Sequence, residues 1–143
     1  MFQKILENIE LRNAPDLSLV GVDLIVDAMI GYGLVNDPRP EVATVIQQIN
    51  DSRAPVLSLD TSSELDIRSG APAKPFIRAH TTLTLALPKV GGLYPATQVP
   101  IDHLYLAYIS VPPELYKNLG IDVPPLFLES TILAITKNGE NYV

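Results

Sequence analysis

The fold is decided by two short apolar runs that each end in an aspartate, VDLIVD at residues 22–27 and PVLSLD at residues 55–60. Aliphatic and β-branched residues fill both runs, which is typical of strands buried on both faces of a parallel sheet. Between the runs, apolar residues recur at the spacing of one helical face, at Val42, Val45, Ile46 and Ile49. Strand, helix and strand within about forty residues indicate a right-handed parallel crossover. The sequence therefore predicts an α/β fold.

The rest of the chain extends this pattern. Further apolar runs at residues 81–87 and 104–111 predict a third and a fourth strand. Pro40 suits the first turn of the helix, where a missing N–H leaves no hydrogen bond unmade. The 13 prolines divide the chain into short blocks, but no repeat or linker splits it. We therefore expect a single domain over residues 1–143.

Composition and charge exclude several classes of function. The 143 residues include 16 acidic and 10 basic residues, a net charge of −6 that argues against nucleic-acid binding. The absence of cysteine excludes disulfides and a cysteine nucleophile, and two histidines argue against a zinc site. No apolar run approaches the ~20 residues of a membrane span. The N-terminal residues show no signal-peptide core, so we expect a cytoplasmic protein without a membrane partner.

Two carboxylates mark a candidate site. Asp27 and Asp60 each stand at the end of a predicted parallel strand and lead into a polar or glycine-containing turn. Ligands of open parallel sheets bind outside the carboxyl ends of the strands, which favours a functional role. The alternative is that both aspartates cap the turns that follow them, as aspartate often does. The residues alone leave both possibilities open.

Several blocks of sequence, in the same order, resemble a known family. They are DLIVDAMIGYGL at residues 23–34, PVLSLDTSSELD at 55–66, TLT at 82–84 and PK at 88–89. This pattern is similar to that of the NAD(P)H-hydrate epimerases, the YjeF N-terminal domain family, over about residues 15–136. The resemblance implies a Rossmann-like, mostly parallel sheet with flanking helices. It also implies that the chain is an incomplete, C-terminal portion of the family's three-layer domain.

The resemblance also implies an activity. Family members interconvert the R and S forms of hydrated NADH and NADPH, so that a companion dehydratase can repair both. Asp60 matches the substrate-contacting carboxylate that is the candidate for acid–base catalysis at C6 of the hydrated ring. Asp27 and Ser63 match ligands of a potassium ion. The substrate-binding loop corresponds to seven residues: Gly31, Tyr32, Gly33, Leu34, Val35, Asn36 and Asp37.

The chain departs from the family pattern in ways that suggest alternatives. The family's opening third, with an Asn-Asn-Gly-Gly-Asp loop that binds potassium and phosphate, has no counterpart in residues 1–20. Tyr32 replaces a threonine, and Glu64 replaces a glycine. A parallel sheet without its first two crossover units leaves a bare edge and an uncovered apolar face. We therefore expect a second copy, or a chain supplying the missing portion, to complete the fold. The alternative function is a non-catalytic nucleotide-binding or dimerisation module.

Overall fold

A computed structural model gives the architecture of the chain and describes residues 10, 17–30, 38–61, 74–88, 103–138 and 141–142. These residues form a five-stranded sheet with the strands in sequence order, and a separate two-stranded hairpin. The strands are β1 (Ile25–Asp27), β2 (Val56–Leu59), β3 (Thr81–Leu85), β4 (His103–Ala107), β5 (Ile132–Ile135), β6 (Lys137–Asn138) and β7 (Asn141–Tyr142). The helices are α1 (Pro40–Asp51) and α2 (Pro113–Asn118).

The sheet is mostly parallel, as the sequence predicts. β1, β2, β3 and β4 pair in parallel, and β5 runs antiparallel to β4. The crossover from β1 to β2 passes through α1, which begins at the predicted Pro40. The α/β, Rossmann-like fold class is thereby confirmed.

The core lies between α1 and one face of the sheet. Val45, Ile46 and Ile49 are buried on α1 at the predicted spacing and join one cluster with Ile25 and Val56. Since Ile46 is completely buried, the helix contributes its full apolar face to the sheet.

The C-terminal end of α1 also positions β3. The Asn50 side chain donates a hydrogen bond from Nδ2 to the Phe76 carbonyl oxygen (2.7 Å) and accepts one from the Arg78 amide at Oδ1 (3.0 Å). Ile77, between these two residues, is completely buried. This pair of contacts fixes the segment that leads into β3.

β1 differs from the prediction of a strand buried on both faces. Ile25 is buried against α1 and Asp27 is buried on the same face, but Val26 on the opposite face is 52% exposed and Leu24 is 51% exposed. The physical reason is position, because β1 is the outermost strand of the described sheet and pairs with β2 alone. The exposed apolar face agrees with the uncovered face expected from the sequence.

The strands are also shorter than the apolar runs that predict them. β3 ends at Leu85, and Ala86 follows it with a positive φ of 65°. β4 ends at Ala107, three residues before Ser110, whose φ is 62°. A left-handed residue turns the chain out of the extended conformation, so apolar composition alone overestimates strand length. In the part of the chain that the structure describes, no helix is long and apolar enough to cross a membrane.

Candidate functional site

Asp27 is a buried carboxylate at the carboxyl end of β1. The residue is 1% exposed, and its Oδ2 accepts a hydrogen bond from the Ser58 hydroxyl at 2.8 Å. Its Oδ1 accepts a longer one from the Met29 amide at 3.3 Å. A buried carboxylate needs such donors because it has lost its hydration. The contact with Met29 shows that Asp27 does cap a local turn, but the bond to Ser58 reaches a second strand.

Ser58 and Thr82 extend this polar group across the sheet. In the strand register Asp27 stands beside Ser58, and Ser58 stands beside Thr82. Ser58 is fully buried and Thr82 is 4% exposed. Three buried side chains with oxygen atoms therefore form a row across the sheet. They lie on the same face as Ile25 and Val56, which pack against α1. Neither Ser58 nor Thr82 stands out in the sequence, although the two-residue alternation of β2 places Ser58 on the same face as Val56.

Asp60 stands at the carboxyl end of the neighbouring strand. Its amide donates a hydrogen bond to the Leu83 carbonyl oxygen (2.8 Å), and its Oδ1 accepts one from the Leu85 amide (3.2 Å). Its backbone is left-handed, with φ at 67°. These contacts direct the carboxylate towards the end of β3, whereas the Asp27 carboxylate is held by Ser58. The structure thus places both aspartates at one edge of the sheet with different partners.

Left-handed backbone recurs along this edge. Asp60, Ala86 and Ser110 follow β2, β3 and β4 respectively, and each has a positive φ. Such conformations cost a non-glycine residue roughly 1–2 kcal/mol. Strained backbone of this kind concentrates at binding and catalytic sites. The three residues therefore support the carboxyl edge of the sheet as the candidate functional edge.

The oxygen donors at Asp27 suit an alkali cation. The carboxylate of Asp27 and the hydroxyl of Ser58 are hard oxygen ligands in a buried position. Among the described residues, no three His, Asp or Glu side chains cluster as a more demanding metal site requires. The donor set at Asp27 therefore fits potassium better than zinc.

The remaining predicted site residues lie outside the described part of the chain. These are the loop Gly31–Asp37 and the second predicted potassium ligand, Ser63. The roles assigned to them stay predictions. Asp27 and Asp60 are the two predicted site residues whose surroundings the structure describes.

Comparison with known proteins places this site in context. Residues 1–91 match the sequence profile of the family described as YjeF-related protein N-terminus. An NAD(P)H-hydrate epimerase of Dehalogenimonas lykanthroporepellens is 36% identical over 99 residues, which cover 69% of this chain and 39% of the relative. An NAD(P)H-hydrate epimerase of Truepera radiovictrix is 35% identical over 117 residues, covering 82% and 51%.

Other relatives are larger or more distant. A bifunctional NAD(P)H-hydrate repair enzyme Nnr of Hyperthermus butylicus is 32% identical over 79% of this chain, which corresponds to 21% of the relative. The crystal structure of the yeast protein ynu0 superimposes with a TM-score of 0.62 at 18% identity, covering 78% of this chain and 46% of the yeast chain. That likeness supports the fold alone.

The match to the family covers more than half of the chain, and the fold agrees with it. The chain spans about half or less of the length of the curated relatives that it matches. The motifs around Asp27 and Asp60 lie within the matched residues. The chain belongs to the family of YjeF-related protein N-terminal domains, as its motifs indicate.

Proposed function

We propose that this chain is the catalytic portion of an NAD(P)H-hydrate epimerase, acting on hydrated NADH and NADPH. Its family, and relatives at up to 36% identity that carry this name, support the proposal. The observation that carries it is the placement of Asp27 and Asp60 at the carboxyl ends of neighbouring parallel strands. In this proposal residues 1–143 form one domain.

Asp60 is the proposed acid–base residue. C6 of the hydrated ring carries a hydroxyl group and is bonded to the ring nitrogen, whose lone pair can expel that hydroxyl. Asp60 would protonate the departing hydroxyl, so that the C6–O bond breaks and water leaves. The resulting carboxylate would then take a proton from water that adds to the opposite face of C6. Asp60 regains the proton that it gave, and the water that adds replaces the water that left. The configuration at C6 is thereby inverted.

Asp27 has a different proposed role. With Ser63 and the newly identified Ser58, it would hold a potassium ion through oxygen ligands. A bound cation would supply fixed positive charge beside the substrate. The loop from Gly31 to Asp37 would contact the hydrated nicotinamide nucleotide, because it follows Asp27 directly in sequence.

The proposed function also includes a partner chain that completes the sheet. The exposed apolar face of β1 supports completion of the sheet by a second copy or by a chain that supplies the missing N-terminal portion. A dehydratase is the proposed functional partner, since bifunctional repair enzymes occur among the relatives. A cytoplasmic location stays a prediction.

The experiment is a potassium-dependent epimerisation assay. The R form of hydrated NADPH is the substrate, and an excess of S-specific dehydratase converts each S molecule to NADPH. We expect turnover above the spontaneous rate, and we expect Asp60→Asn to lower it at least a hundredfold, the range of general acid–base catalysis. Replacing potassium with sodium should lower it as well.

The matched control is Asp23→Asn. Asp23 is an exposed aspartate that lies before the amino end of β1, away from the carboxyl edge of the sheet, so its replacement should leave turnover unchanged. If the purified chain shows no turnover with or without added homologous N-terminal segment, the proposed activity is wrong. Equal turnover in Asp60→Asn and the wild type would instead remove Asp60 from the mechanism.

A second candidate function is a non-catalytic interaction module. The exposed side chains of Leu24, Val26 and Met29 favour it, because contiguous apolar surface marks interfaces. Association without turnover in the assay above would support this alternative.

A further inference from the structure

A cavity opens beside the candidate site, at the carboxyl ends of β3 and β4. Its volume is about 390 Å³. Ala86, which follows β3, lines one side, and Tyr108, which follows β4, lines another. Helix α2 and the proline-rich segment 121–128 form the remaining walls. Pockets of about 300–1,000 Å³ are the size that binds small organic ligands.

The cavity adjoins Asp60 through the backbone of β3. The Asp60 carboxylate accepts a hydrogen bond from the Leu85 amide, and the next residue, Ala86, lines the cavity. Neighbouring strands lie about 4.8 Å apart, so the ends of β2 and β4 are separated by about 10 Å. One extended ligand can therefore reach both Asp60 and the cavity.

The lining combines aromatic surface with two opposite charges. Tyr116 and the neighbouring Tyr108 and Phe127 line it, and the last two rings lie 5.1 Å apart at an interplanar angle of 39°. Lys117 and Asp122 also line it. Neither charged side chain forms a hydrogen bond or an ion pair within the described part of the chain.

We propose that this cavity binds the adenine ring of the dinucleotide substrate, a planar nitrogen heterocycle that bears an exocyclic –NH2 group, while the hydrated ring lies at Asp60. The inference rests on the proposed function and extends it to a second contact region. The aromatic side chains would contact the face of the ring. The Asp122 carboxylate would accept a hydrogen bond from the –NH2 group, and Lys117 would attract a phosphate.

The test uses two nucleotides and a ring-free control. The probes are AMP, whose adenine carries the –NH2 group, and nicotinamide mononucleotide, whose –NH2 belongs to a carboxamide, and ribose 5-phosphate is the control. Amide chemical shifts of the 15N-labelled full chain report binding. We expect saturable shifts at Ala86, Tyr108, Lys117 and Leu128 with AMP and weaker shifts with nicotinamide mononucleotide, and stronger binding of nicotinamide mononucleotide would overturn the assignment to adenine.

Two variants test the lining. Tyr108 is 46% exposed, so Tyr108→Leu should fold normally and weaken nucleotide binding about tenfold through lost stacking. Asp122→Ala should weaken nucleotide binding at least fivefold and leave ribose 5-phosphate binding unchanged. Leu119→Ala is the matched control, because Leu119 is exposed beside α2 but does not line the cavity.

The outcomes separate this inference from the epimerase proposal. Asp60→Asn should lower turnover at least a hundredfold and leave nucleotide binding in the cavity intact, because asparagine still offers Oδ1 to the Leu85 amide. Turnover together with no shifts at about 10 mM nucleotide, a concentration that detects even millimolar affinity, would overturn the inference alone. Equal binding of ribose 5-phosphate would also overturn it, because the ring would then contribute nothing.

Discussion

Ala86 holds a left-handed backbone conformation, with φ at 65°, between the end of β3 and the cavity. Its amide donates to the Ala107 carbonyl oxygen at 3.2 Å, which fixes it against the end of β4. Alanine pays roughly 1–2 kcal/mol for this conformation, whereas glycine adopts it readily. Glycine loses part of that advantage through its greater freedom in the unfolded chain.

We therefore expect Ala86→Gly to raise the free energy of unfolding by about 1 kcal/mol. Urea denaturation followed by circular dichroism measures the change. Ala43→Gly is the matched control, since Ala43 lies inside α1 and the same substitution there should lower stability by about 1 kcal/mol. A loss of stability at both positions would show that the Ala86 conformation carries no strain.

The polar residues of the site show which features the sequence can reveal. Asp27 and Asp60 could be selected because each ends an apolar run. The bond from Ser58 to Asp27 joins residues 31 positions apart and depends on the register of two strands, which an apolar pattern does not specify. The left-handed backbone at Ala86 was equally hidden, because alanine gives no signal for a positive φ.

At the scale of elements, α1 is coupled to β3 through Asn50. This side chain forms hydrogen bonds with the Phe76 carbonyl oxygen and with the Arg78 amide, and so holds the backbone segment that leads into β3. Replacing it with alanine removes both hydrogen bonds and leaves backbone groups beside the buried Ile77 without these partners. The cost is therefore that of one unsatisfied, part-buried carbonyl oxygen at Phe76 together with one exposed bond at the Arg78 amide, which water can replace.

We expect Asn50→Ala to lower the free energy of unfolding by about 1–3 kcal/mol. Gln47→Ala is the control on the same helix, because its hydrogen bond to Asp51 is exposed and should contribute less than about 0.5 kcal/mol. Hydrogen exchange gives a second readout, in which the Arg78 amide should lose its protection in Asn50→Ala. Unchanged protection there would mean that the segment before β3 is held by other contacts.

Local sequence signals predict helix α1 and the pairing of the first two strands, but they do not predict every element. Helix α1 follows from spacing and from Pro40, which are local signals. The parallel pairing of β1 with β2 follows from the strand, helix and strand pattern, whereas the positions of β3 and β4 in the sheet were not predicted. Helix α2 was not predicted, because six residues are too short to show a helical period.

For the whole molecule, the exposed face of β1 is the feature with the largest consequence. Leu24, Val26 and Met29 are 51%, 52% and 39% exposed, on the outermost strand of the described sheet. An apolar strand at a sheet edge is a template for pairing with another chain. If a second copy covers this face, the association must weaken when a charge is placed in its centre.

We expect the wild type to self-associate with rising concentration, and Val26→Lys to raise the dissociation constant at least tenfold. Sedimentation velocity over a range of concentrations measures it. Because half of the Val26 side chain is already in water, the variant should keep the wild-type circular dichroism spectrum. Leu119→Lys places the same charge on another exposed leucine, beside α2, and should leave association unchanged. A wild type that remains monomeric at every concentration would exclude a second copy as the partner that covers this face.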